Sequence, residues 1–130
     1  MGAIDLKSNI KMKVSIQKAA KTATENGGSF EVADYHSACF VVDAGTWTDG
    51  THTIEFQESD DDSTWTAIAD GDLDGSEPVI DGATDDDQQY YVGYMGNKRY
   101  VRVKNTVASA TTGAVVGAYV LAGHPHHIPA

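Results

Sequence analysis

Polar and apolar residues alternate with period two along much of this chain. In Thr51-His52-Thr53-Ile54-Glu55-Phe56-Gln57-Glu58, Ile54 and Phe56 fall on one face and Thr53, Glu55 and Gln57 on the other. That is the pattern of a strand with one wet face. The apolar run Ala38-Cys39-Phe40-Val41-Val42 precedes it, and Thr64-Trp65-Thr66-Ala67-Ile68 follows. Asp49-Gly50 and Ser59-Asp60-Asp61-Asp62-Ser63 separate the three runs. Asp-Gly supplies the positive φ angles that tight hairpins need. The segment reads as an antiparallel meander.

The same reading extends in both directions. Ile10, Met12, Val14 and Ile16 alternate with Lys11, Lys13, Ser15 and Gln17, which predicts an edge strand on an extended N-terminal arm. Asn26-Gly27-Gly28 breaks the chain after it. A short strand is expected at residues 29–32. Residues 69–87 read as a long acidic loop, with a short edge strand around Pro78. Tyr90-Tyr91-Val92-Gly93-Tyr94 is a strand, and Gly96-Asn97-Lys98 is a turn. Val101, Val103 and Val107 then alternate with Tyr100, Arg102 and Lys104. Residues 114–122 are nearly all apolar, which predicts cover on both faces, either as a central strand or as the lining of a subunit interface. Residues 123–130, with Pro125 and Pro129, read as an irregular tail. The expected fold is all-β, an antiparallel sandwich or small barrel of about eight short strands. It divides into an arm or edge strand at 1–26, a β domain at 27–122 and a C-terminal tail at 123–130.

Composition agrees. The chain has 130 residues and is 41% apolar, enough for one globular core. Leucine is scarce while Val, Thr, Ala and Gly abound, which favours pleated sheet over a helical bundle. Charge adds a second layer. The formal net charge is -10, and every acid except Asp5 lies between Thr22 and Asn97, a stretch without Lys or Arg. The bases sit in the first 21 residues and at Lys98, Arg99, Arg102 and Lys104. Such a body repels nucleic acid and anionic membrane, so neither is an expected partner. The acidic body reads first as a guard of solubility and against pairing at sheet edges. Alternatively, the basic ends dock on an acidic partner while the body faces water.

Cys39 is the single cysteine, so no internal disulfide can form, and between Ala38 and Phe40 it reads as a small buried hydrophobe. Residues 1–21 lack the apolar core of a secretory signal. No run approaches the ~20 apolar residues of a membrane helix. Synthesis in a cytoplasm is therefore expected.

Candidate chemistry is sparse. Nucleophile-elbow, dinucleotide and phosphate-loop motifs are absent, and His36 and His52 have no evident Ser or Cys partner. A non-enzyme is expected. Asp70-Gly71-Asp72-Leu73-Asp74-Gly75 matches the start of a calcium loop, where Asp70, Asp72 and Asp74 supply oxygens and the glycine allows the turn. Asp81 falls where a bidentate Glu is expected. A solvated acidic loop is the favoured alternative, so no cofactor is expected. His124-Pro125-His126-His127 offers imidazoles for zinc or nickel, but reads better as a docking tail. Trp47, Trp65, Tyr90, Tyr91 and Tyr94 can be a sugar-stacking platform or core packing. Trp65 is expected in the core and Trp47 exposed by its turn.

Several strings together resemble one family. They are Val42-Asp43-Ala44-Gly45-Thr46-Trp47-Thr48-Asp49-Gly50-Thr51-His52-Thr53, Gln57-Glu58-Ser59-Asp60-Asp61, Val92-Gly93-Tyr94, Lys98-Arg99-Tyr100-Val101-Arg102-Val103, Ala110-Thr111-Thr112-Gly113-Ala114 and Gly123-His124-Pro125. In this order they are similar to small structural proteins of tailed bacteriophages, over roughly residues 26 to 127. The resemblance implies a small β-rich virion protein without catalytic residues, similar to capsid decoration or cement proteins. The expected partners are the major capsid protein and further copies of the chain, with a homotrimer as the leading arrangement. The expected location is the capsid surface. Contacts are expected from Ile10, Met12, Val14 and Ile16 by strand addition, from Arg99, Arg102 and Lys104 by charge, and from His124 and Pro125 in the tail. A head-fibre, neck or tail component, or a carbohydrate-binding sandwich, is the alternative.

Overall fold

A computed structural model of the chain describes residues 10–125. Eleven strands follow in order: β1 (Ile10–Lys21), β2 (Glu25–Asn26), β3 (Phe30–Glu31), β4 (Tyr35–Trp47), β5 (Thr51–Ser59), β6 (Thr66–Ala67), β7 (Leu73–Asp74), β8 (Val79–Ile80), β9 (Gln89–Tyr94), β10 (Tyr100–Ala108) and β11 (Ala114–Pro125). Single 3-10 turns stand at Asp70–Asp72 and Ala83–Asp85. The first sheet has the order β1-β11-β4-β9-β7. The second runs β2-β10-β5-β6, with β3 also on β10 and β8 also on β5. All pairings are antiparallel. The two sheets pack as a sandwich, not a closed barrel.

Alternation builds the core. Phe40 and Val42 of β4, Val92 of β9, and Val116, Ala118 and Val120 of β11 point inward from the first sheet. Ile54 and Phe56 of β5 and Val101 and Val103 of β10 meet them from the second. Phe40 and Phe56 stack face to face between the sheets, ring centroids 4.1 Å apart and planes within 7°. The Asp49-Gly50 turn joins β4 to β5, with Gly50 at φ 88° as the hairpin requires.

Two expectations are corrected and one is narrowed. The described residues form eleven strands rather than about eight, because loops contribute two-residue bridges. Of the segment read as an arm or edge strand, residues 10–21 form the edge strand β1, paired with β11 from Ile10↔Gly123 to Lys21↔Ala114, and residues 1–9 lie outside the described residues. The tail begins later than residue 123, since Gly123 still pairs with Ser37 and Pro125 with Tyr35. His126 and His127 lie outside the described residues.

β1 also departs from simple alternation. Its register shifts between Val14 and Ile16 and again between Ile16 and Ala19. A bulge re-aims the side chains that follow it. Val14 is 47% exposed, whereas Ile16 is fully buried. The four apolar residues expected to act together are thus divided between an outer face and the core.

Candidate binding surfaces

The outward face of the first sheet is apolar in rows that follow from strand register. Val14 stands opposite Tyr119, Tyr119 opposite Val41, and Val41 opposite Tyr91. The next row joins Met12, Leu121, Cys39 and Gly93. Ile10 and Gly123 begin a third, ending at Ser37. Met12 is 59% and Tyr91 67% exposed, while Val41, Tyr119 and Leu121 are half-buried. A shallow groove of about 210 Å³ passes between Ile10, Cys39 and Leu121. The expectation that the chain itself covers both faces of β11 is therefore corrected: its inner residues are buried, and its outer ones form the middle of this surface.

The rim of the face is polar. Lys18 lies across Gly117, where an added Cβ would come within 2.8 Å of the Lys18 Cβ. Its Nζ reaches Asp43 Oδ2 at 3.2 Å. Gln89 donates to Asp43 Oδ1 at 3.0 Å. That bond first, then Lys18, holds the Asp43 carboxyl below its usual range, against an opposing desolvation. The rim charge is thus internally matched.

β1 is also the end strand of its sheet, with β11 as its sheet neighbour. Lys11 and Lys13 alternate with the outward apolar residues and are exposed. Neither has an ion pair among the described residues, whereas Lys18 pairs with Asp43 and Lys21 with Glu25. Among the described residues this edge is open, apolar on one side and cationic on the other.

No family model, curated protein or solved structure matches this chain. The surfaces must be read from their own chemistry.

Most other basic residues are engaged locally. Arg102 stacks over the Trp65 ring at 4.4 Å and donates through Nε to Gln57 Oε1 at 2.7 Å. Arg99 pairs with Glu31 at 3.2 Å and lies 5.5 Å from the Tyr100 ring centroid. Lys104 stands opposite Glu55 and Asn26 on β10. Arg99 and Arg102 are thus held by neighbours on the outer face of the second sheet, whereas Lys104, like Lys11 and Lys13, has no ion pair among the described residues. His124 and Pro125 belong to the backbone of β11.

The remaining candidates disperse. No group of three His, Cys, Asp or Glu side chains among the described residues is placed to hold a metal. Within the calcium-like string, Asp70 and Asp72 stand in a 3-10 turn, while Leu73 is buried in the core and β7 pairs with β9 at Leu73↔Tyr94 and Asp74↔Gly93. Asp81 follows β8, on another part of the loop.

The aromatic residues form no platform. Tyr94 is in the core, donating to Glu58 Oε1 at 2.8 Å, and burial followed by Glu58 raises its phenol pKa. Tyr90 donates to Asp85 Oδ1 at 2.7 Å, and burial first, then that carboxylate, pushes its phenol up to about 12. Trp47 is half-buried against the core with its indole N–H on the Gly50 carbonyl, not exposed as expected. Trp65 lies outside the core under Arg102, again contrary to expectation. Cys39 is half-buried on the outer face rather than fully buried, and burial pushes its thiol up, away from thiolate chemistry.

Sequence reasoning did not single out Val41, Tyr119 and Leu121, and named Tyr91 only for sugar stacking. Each lies on a strand that was anticipated. The signal for Tyr119 and Leu121 was the odd-numbered apolar series in residues 115–121, which reads equally well as a strand buried on both sides.

Proposed function

We propose that this chain is a non-enzymatic structural protein of a phage virion that docks on the capsid lattice as a decoration or cement subunit. The open edge of β1 is the observation that carries the reading. Ile10, Met12 and Val14 line one side of that edge, and Lys11 and Lys13, without an ion pair among the described residues, line the other. An acidic, alternately apolar segment of a capsid subunit can add to this edge as a further strand. Main-chain hydrogen bonds then supply affinity, and the lysines supply register. Repetition over a lattice converts such modest contacts into a stable shell by avidity. The resemblance to phage structural proteins supports the same reading. So does the acidic body, which keeps the outward side soluble.

The test mixes purified protein with expanded capsids that lack it, followed by sedimentation and a count of copies per capsid subunit. Saturable binding at a fixed ratio is expected, weakening as salt rises because the lysines are screened. A Lys11→Glu/Lys13→Glu variant should bind far less. Absence of lattice binding by the unaltered protein overturns the reading. Full binding by the variant overturns the edge assignment.

A further inference from the structure

We infer that the outward face of the first sheet is a self-association surface that packs against the same face of a second copy. The assignment rests on the face itself and stands whether or not the chain binds capsids.

Charge selects the partner. Two copies of a chain with net charge -10 repel one another. The second sheet carries Glu31 and Asp60 already paired with Arg99 and Lys98, and Glu55 opposite Lys104, so its charges are matched within the copy. Approach there would still oppose the Asp61 and Asp62 turn to its own duplicate. Approach along the two β1 edges would oppose Lys11 and Lys13 to theirs. The rows containing Met12, Leu121, Cys39 and Tyr91 carry no charge until Asp74 at the far rim, and the Lys18–Asp43 pair above them is neutral as a unit. It is the surface on which two acidic copies can meet without stacking like charges.

Shape and size agree. Gly93 and Gly123 carry no side chain to stand out from the face, which suits sheet-on-sheet packing. Three rows at about 6.8 Å each over four strands at about 4.8 Å give the face roughly 19 Å by 20 Å, or about 400 Å² per copy. Two copies together bury about 800 Å², the scale of a weak, transient contact. The expected association is therefore weak and concentration-dependent. It would strengthen wherever copies are held close together.

The mass of the purified full chain, measured by sedimentation equilibrium over a wide concentration range, tests the inference. A monomer–dimer equilibrium is expected. Met12→Lys and Tyr91→Lys alter exposed side chains, so the fold should persist, as near-ultraviolet circular dichroism will verify. Each should weaken dimerisation roughly tenfold or more. Lysine lowers the net negative charge, so the loss cannot come from added acid repulsion. Val79→Lys, exposed on the second sheet, should leave the equilibrium unchanged. A monomer at every concentration overturns the inference, as does dimerisation indifferent to both face variants. A trimer, the arrangement expected from the resemblance, also overturns it, because face-to-face packing closes at two.

Discussion

Ser15 Oγ accepts the Val103 N–H at 3.0 Å and donates to the Gly28 carbonyl at 2.9 Å. One hydroxyl thus joins the edge of the first sheet to a central strand of the second. The bulge in β1 turns Ser15 inward, and Gly27 closes over it so tightly that a Cβ there would meet Ser15 Oγ at 2.3 Å. Removing the hydroxyl leaves a buried N–H without its acceptor. Ser15→Ala should therefore destabilise the fold by about 1–3 kcal/mol in urea unfolding, with faster hydrogen exchange at Val103. Unchanged stability would mean that the two sheets do not depend on this link.

A second link is ionic. Asp49 Oδ1 accepts N–H groups from Thr111 at 3.0 Å, Thr112 at 3.2 Å and Gly113 at 2.6 Å, tying the β4–β5 turn to the β10–β11 turn. The Gly113 and Thr112 bonds, followed by Thr111, hold its carboxyl below the usual range. A depressed folded pKa contributes stability above the unfolded value of about 3.9, and that contribution is lost as pH falls through the folded value. Urea midpoints measured from neutral to acidic pH should therefore separate the wild type from Asp49→Ala at neutral pH and converge in acid. A gap that stays constant with pH would assign the effect to packing instead.

Within the core, Asn105 is fully buried, and neither its amide nitrogen nor its oxygen has a protein partner among the described residues. Leucine has the same branched outline without the desolvation cost. Asn105→Leu should raise stability by about 1 kcal/mol, read as an upward shift of the thermal midpoint. A loss of similar size would reveal a bound water that satisfies the amide.

The two kinds of aromatic site should differ sharply. Phe40 fills the space between the sheets against Phe56, so Phe40→Ala should cost about 3–5 kcal/mol. Trp65 only covers Arg102 on the surface, so Trp65→Ala should cost about 1 kcal/mol or less. Chemical unfolding of both variants checks this ordering. Equal losses would place Trp65 in the core.

Period-two alternation was enough to determine the fold class, because a strand must present alternate residues to a single core. It placed Ile54, Phe56, Val101 and Val103 inside and Arg102 and Lys104 outside without further information. The Asp49-Gly50 hairpin was legible for a similar reason, since positive φ leaves few residue choices. Tertiary structure decided the rest. Alternation cannot reveal a bulge, so nothing in the series Ile10, Met12, Val14, Ile16 indicates that Ile16 turns inward while its predecessors stay outside. Nor can it show whether the second face of an apolar strand is covered, because cover depends on what packs across it. Asp70, Asp72 and Asp74 illustrate the same limit: their spacing suits a cation, but the fold puts the first two in a 3-10 turn and the third in β7 beside the buried Leu73. The candidate surface exists only because cross-strand register sets Tyr91, Val41, Tyr119 and Val14 side by side, and register is a property of paired strands, not of any one segment.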